Sequence, residues 1–278
     1  REAIHSGGGV GGENSSPVAV PIPSEELGSV SISPSGSFEA GSYQTFTLVY
    51  TAGKFGIDDS GSMRICFRFA SDQTRPQFEN PTGPNYTTIV ASNNAVLNYH
   101  YDPKGNVRPW DRTLYIKVVR GFLKEGDTIT VKFGDKSKGS PGMRLQTFCE
   151  ESYEFHTLVD PIATYCYQPM PEQPTIKIVP GPAEKFLAIG PTIRAVGEPF
   201  QIKIKGEDKW GNPTILCDYE FYAVSTCKIE GLPKKVTLKP GEFTATLSDL
   251  RVQTAEDCTV EFTNDGNNIA FETNPIRI

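Results

Sequence analysis

Nowhere in the 278 residues is there an apolar run of the roughly 18–20 residues that a membrane-spanning helix needs, so no transmembrane segment is expected. Histidine is scarce: His5, His100 and His156 are the only three. That excludes a His-rich metal centre, and a Ser-His-Asp or Cys-His hydrolase would have to recruit its base from those three. GxSxG, HExxH and GxxxxGK[ST] are all absent, and Gly7-Gly8-Gly9 opens no helix that could cradle a phosphate. Basic clusters are missing too. With 27 Lys and Arg against 33 Asp and Glu, the formal charge is −6, so no nucleic-acid partner is expected. The i, i+3, i+4, i+7 spacing of an amphipathic helix finds no match over about twelve residues.

The six cysteines, Cys66, Cys149, Cys166, Cys217, Cys227 and Cys258, form no CxxC, and none has a histidine at zinc-finger spacing. No metal or other cofactor is therefore expected in this chain. The last three fall close enough together to include one bridge, while Cys66 alternates with arginines in Met63-Arg64-Ile65-Cys66-Phe67-Arg68-Phe69 as a small buried hydrophobe would. Paired carboxylates occur at Glu25-Glu26, Asp58-Asp59 and Glu150-Glu151. Adjacent residues on a strand point to opposite faces, so these pairs make poor acid–base dyads and read as solvated turn charges. Sequons stand at Asn14 and Asn85.

What the chain does have is β grammar. Gly and Pro number 26 and 22, and they punctuate short runs of β-branched and aromatic residues. Strands are predicted at 29–33, 45–51, 63–69, 86–91, 113–119, 128–133 and 154–160. They resume at 175–179, 185–189, 200–205, 218–223, 235–238, 242–247, 259–263 and 274–278. The fold expected is all-β: two tandem antiparallel β-sandwich domains, the second immunoglobulin-like. Residues 1–27 read as a flexible Gly/Pro-rich arm, with 1–16 forming no regular element. The first sandwich is placed at 28–168, a Pro-rich linker at 169–173 and the second sandwich at 174–278. The chain lacks an initiating Met, so processing or origin in a longer polypeptide is expected, and the location expected is secreted or periplasmic. The turn Asp208-Lys209-Trp210-Gly211-Asn212-Pro213 reads as a structural corner or, through Asp208 and Asn212, as a calcium or ligand site.

One segment concentrates recognition chemistry. Residues 98–112 read as a long loop carrying Tyr99, Tyr101, Arg108, Trp110 and Arg112. The rings could form a stacking platform for a sugar, with the guanidinium groups on an anion. Alternatively they plug the end of the sandwich, with the arginines stacked on them. A second, weaker candidate is the Pro-restricted loop Arg75-Pro76-Gln77-Phe78-Glu79-Asn80-Pro81.

Several phrases then align in order along the chain: Tyr50-Thr51 with Gly56-Ile57-Asp58, Arg75-Pro76-Gln77, Asn80-Pro81, Asn85-Tyr86, Arg108-Pro109-Trp110, Gly126-Asp127, Gly134-Asp135, and the run from Gly142 to Phe148. The 208–213 turn and Asn274-Pro275-Ile276 continue the series. Together they resemble the amino-terminal β-sandwich region of a largely uncharacterised bacterial family. There a metal-dependent, polymerase-and-histidinol-phosphatase-like hydrolase domain follows. The resemblance implies a non-catalytic accessory module for such a domain, supplied by the same precursor or by a separate chain. None of that domain's metal ligands maps onto a residue here. The other function open is a carbohydrate-binding or adhesive extracellular module, with a glycan as partner; an enzyme complete in itself is not expected.

Overall fold

The computed structural model describes residues 21–278 and is all-β; among these residues the helical elements are the 3-10 turns Ser24–Glu26, Lys136–Lys138 and Asp265–Asn267. Alternation dictates the architecture. In Phe46–Ala52 every second side chain is buried, and Thr128–Phe133 repeats the pattern, as a period of two requires when one face is covered. These strands pair, flanked by Gly28–Ser33 and Thr88–Ala91, in a four-stranded antiparallel sheet. Against it lies a five-stranded sheet in the order Gln168–Pro169, His156–Asp160, Ser62–Phe67, Arg112–Arg120, Val96–Asp102. Their inner faces share one core, Phe46, Leu48 and Val131 from one side meeting Met63, Ile65, Phe67, Leu114 and Ile116 from the other. Phe67 sits edge-on to Phe133 and Phe155, with centroids 5.8 and 5.6 Å away.

A second core begins at Ala183 and includes Phe200, Ile202, Ile204, Phe221, Leu250 and Phe262. It lies between two further four-stranded sheets, and the result is an immunoglobulin-like sandwich. Cys227 and Cys258 form a disulfide with Cα atoms 5.6 Å apart, a pairing that the spacing of the last three cysteines leaves open. Cys66 and Cys217 are buried thiols, while Cys149 and Cys166 are exposed.

Several expectations need correction. Residues 1–20, including Asn14 and the Gly-rich stretch, lie outside the described residues, but 21–27 is not a flexible arm. Ile22 and Leu27 are buried in the first core, and the Gln168 side chain both accepts from the Ile22 N–H (2.9 Å) and donates to its carbonyl (2.8 Å). The segment 169–173 is not a free linker either. Pro169 pairs with Leu158, Met170 is buried in the first core, and the Gln173 side chain bonds to both backbone groups of Thr157. Thr175–Val179 then joins the first unit, antiparallel to Glu150–Glu154 and parallel to Ser37–Glu39, burying Ile176 and Ile178 there. The cores therefore divide between Ile178 and Ala183. Proline marks extended chain, and an edge strand tolerates it as readily as a linker does. The sequon at Asn85 is closed: the residue is fully buried with φ 50°, and its side-chain amide donates to the Thr74 carbonyl at 2.7 Å. Residues 274–278 form only isolated bridges rather than a strand, and 154–160 is broken into Glu150–Glu154 and His156–Asp160.

The 208–212 turn fastens the second unit to the first. Asp208 Oδ1 accepts the N–H groups of Trp210 and Asn212, both at 2.9 Å. The Asn212 side chain donates to the Thr147 carbonyl (2.8 Å) and accepts from the Cys149 N–H (3.3 Å). The Trp210 ring lies against Gly41, where a Cβ would stand 2.5 Å from its Nε1, so only glycine lets the ring seat.

Candidate functional site

The segment 98–112 is not one loop. Val96–Asp102 is an edge strand paired with Arg112–Arg120, and only 103–111 connects them. Asn98 and Asp102, both poor strand formers, masked the alternation of the residues between them. His100, expected in the loop, is likewise on this strand.

The five expected site residues are divided between the inward face of this strand, the connection and the start of the next strand. Tyr99 turns inward, packs on the first core and lies 4.9 Å from Phe78 of the Pro-restricted loop. Tyr101 and Arg112 are half-buried; burial raises the Tyr101 hydroxyl pKa, with the charges of Arg112 and Arg75 opposing it. Arg112 Nη1 donates to the Ser71 carbonyl. Arg108 and Trp110 instead belong to the 103–111 connection. Trp110 stacks on His156 at 4.6 Å with Arg68 5.3 Å from a ring centroid, and His156 Nδ1 is hydrogen-bonded to Glu154 at 2.6 Å. Arg108, its side chain 76% exposed, covers Phe69 at 4.9 Å and pairs with Asp111 at 3.7 Å. The five residues do not build a common platform.

The outer face of the same sheet does assemble one. Strand register sets His100 opposite Tyr115, Tyr115 opposite Arg64 and Arg64 opposite Leu158, a row crossing four strands. The neighbouring row holds Asp102, Thr113, Cys66 and His156. Burial pushes the Cys66 thiol up to about 11, against the opposing pull of Thr113, Arg64 and Asn106.

Two loops wall this floor. The 103–111 connection is pressed onto it at Gly105, where a Cβ would stand 2.8 Å from that of Thr113. Asn106 donates to Cys66 Sγ (3.5 Å) and accepts from Arg64 Nη1 (3.4 Å), and the Phe69 N–H is bonded to the Pro109 carbonyl at 2.9 Å. The other wall, 161–167, is organised by the buried Asp160, which accepts from the Thr164 N–H and hydroxyl (3.0 Å each) and from the Tyr165 N–H (2.7 Å). Those bonds hold Ala163 and Tyr165 at φ 53° and 61°, a left-handed conformation costly for an aromatic residue, and leave Tyr165 86% exposed. Tyr167 folds back over the floor: its hydroxyl shares a 2.6 Å hydrogen bond with Ser62, and the Arg64 guanidinium lies 3.7 Å from its ring centroid. Burial raises the Tyr167 hydroxyl pKa, and the adjoining Tyr115 raises it further. The cleft so formed, about 200 Å³, is lined by Arg64, His100, Asp102, Gly105, Thr113, Tyr115, Tyr165 and Tyr167.

No protein-family model matches the chain, and no curated protein is matched either. A solved structure, the adhesin InvE of Yersinia pseudotuberculosis, aligns over 91% of this chain at 8% identity with a TM-score of 0.28. The chain spans 58% of that structure. A likeness of that extent has no bearing on what this chain binds.

Arg64, Tyr115, Tyr165 and Tyr167 escaped the sequence reading. Arg64 and Tyr115 fell inside predicted strands as the polar partners of apolar neighbours, which is a signal of an outer face but not of which strands adjoin. Nothing in Tyr165-Cys166-Tyr167 marks a folded-back loop. Among the described residues no three His, Cys, Asp or Glu side chains gather closely enough to hold a metal, and no helix is long and apolar enough to cross a membrane.

Proposed function

We propose that this chain is a non-catalytic recognition module that binds a carbohydrate in the cleft between the 103–111 and 161–167 loops. The observation that carries this reading is the meeting of Tyr115, Arg64, His100 and Asp102 on a sheet face with Tyr165 and Tyr167 from a loop held in strained geometry. Sugars offer an apolar C–H face and a rim of hydroxyls; aromatic walls suit the first, and a mixed set of charged and hydroxyl groups suits the second. The cleft is smaller than the roughly 300–1,000 Å³ typical of drug-sized ligands, so it fits a single ring or a chain end. Calorimetric titration with an oligosaccharide panel tests the reading. Tyr115→Ala and Tyr165→Ala should each weaken binding by about 1 kcal/mol, roughly fivefold in Kd, with little change in Tm. Binding untouched by both variants would place the site elsewhere, and failure of every sugar to bind would overturn the proposal.

The accessory role beside a metal-dependent hydrolase, implied by the sequence resemblance, is a second reading. It rests on the ordered series of phrases from Tyr50-Thr51 to Asn274-Pro275-Ile276 that carries the resemblance. Intact mass and peptide mapping of the natural protein test it. A polypeptide continuing into a segment rich in His and Asp supports this role, and a free-standing mature chain that co-purifies with no hydrolase contradicts it.

A further inference from the structure

We infer that the sugar taken by this cleft is an acidic one, with its carboxylate held by Arg64; the inference rests on the carbohydrate reading above. Arg64 is the middle of the floor, between Tyr115 and Leu158 in register. Its guanidinium has five donors, yet its one hydrogen bond to the protein is the long 3.4 Å contact with Asn106, and its Nε is shut from solvent without any partner. Two of the nearby arginines are ion-paired, Arg68 with Glu150 at 3.6 Å and Arg108 with Asp111 at 3.7 Å, while Arg112 donates to the Ser71 carbonyl. Arg64 enters none of the ion pairs among the described residues. A half-buried cation that has surrendered hydration at Nε, gaining the Tyr167 ring but no anion in exchange, is compensated when a ligand supplies an anion, and the two Nη groups at the open end of the planar fork match a carboxylate in two-point geometry.

The rest of the cleft fixes the sugar's orientation. Asp102 lies on the edge strand, two strands from Arg64 and so roughly 10 Å across the sheet. One of its oxygens takes the Lys104 N–H at 2.8 Å, leaving the other for a hydroxyl donor. A carboxylate would be repelled at that end and attracted at the other, so the acid group points to Arg64 and the ring hydroxyls to Asp102 and the exposed His100. Tyr165 and Tyr167 then face the ring from the 161–167 wall.

The probes are trigalacturonic acid, a glucuronic-acid-terminated disaccharide and sialyllactose, each beside its methyl ester, titrated into the whole chain. At least one acid form should bind about tenfold more tightly than its ester. Arg64→Gln should abolish that preference, and Arg64→Lys should retain part of it because charge survives without the fork. Esters binding as well as acids would overturn this inference and leave the carbohydrate reading standing, a comparison that needs no variant to fold. If neither acidic nor neutral sugars bind, both fall.

Discussion

Trp110 lies flat on His156, and neither ring is fully buried. Its removal should therefore cost about 1–2 kcal/mol, the value of a stacked pair with partial burial, and not the roughly 3–5 kcal/mol of a core aromatic. Urea unfolding of Trp110→Ala separates these values, and a loss in the upper range would mean that the ring caps the core. Cys66, beneath the same loop, makes a pH-dependent contribution. Its folded pKa of about 11 stands above the thiol's usual 9.0, so its share of stability is intact below pH 9 and lost as pH rises from 9 to 11. That share is about 2–3 kcal/mol. In Cys66→Ala the fall in unfolding free energy across this window should be shallower, and an unchanged slope would contradict the burial of the thiol.

At the scale of elements, the 208–212 turn acts on both units at once. Asn212→Ala deletes its bonds to Thr147, Cys149 and Asp208 while touching neither core. Hydrogen exchange at the Cys149 amide should accelerate while the strands of both sandwiches stay protected; simultaneous loss of protection in either core would show that the turn belongs to a core. Acid should loosen the same turn. Burial raises the Asp208 pKa, but hydrogen bonds from Asn212, Gly181 and Trp210 outweigh it and set it below the usual value, so its contribution is present above pH 3.8 and disappears as pH falls below that. The strands themselves were legible wherever period-two alternation was clean, as in Phe46–Ala52 and Thr128–Phe133. Legibility failed where polar residues interrupted a strand, as Asn98 and Asp102 do around Tyr99 and Tyr101, and where prolines at 169–174 suggested a linker in chain that is tied to the first unit through Pro169, Met170 and Gln173. The cleft was only half legible. Arg108 and Trp110 lie on the connection that forms one wall, but the floor depends on cross-strand register, which one sequence does not encode locally.

The whole molecule is two sandwiches with separate means of support. The first relies on interlocked aromatics, while the second adds the Cys227–Cys258 bridge, which closes 31 residues and stabilises by about 3–4 kcal/mol on chain entropy. Reduction should lower the melting transition of the second unit and spare the first, and a uniform shift would mean the two melt as one. The concave features of the surface also divide by character. The seam groove of about 510 Å³, lined in part by Ile178, Pro213, Leu216 and Phe243, is mainly apolar, whereas the outer-face cleft gathers converging charges and hydroxyls. Recognition by this chain is assigned to the latter. Titrating isotope-labelled protein with the sugar panel while following backbone amide resonances tests it most directly. Shifts should concentrate at Arg64, His100, Tyr115 and residues 162–167 and saturate with ligand; shifts confined to the seam around Cys149 and Phe243, or none at all, would contradict recognition by this cleft.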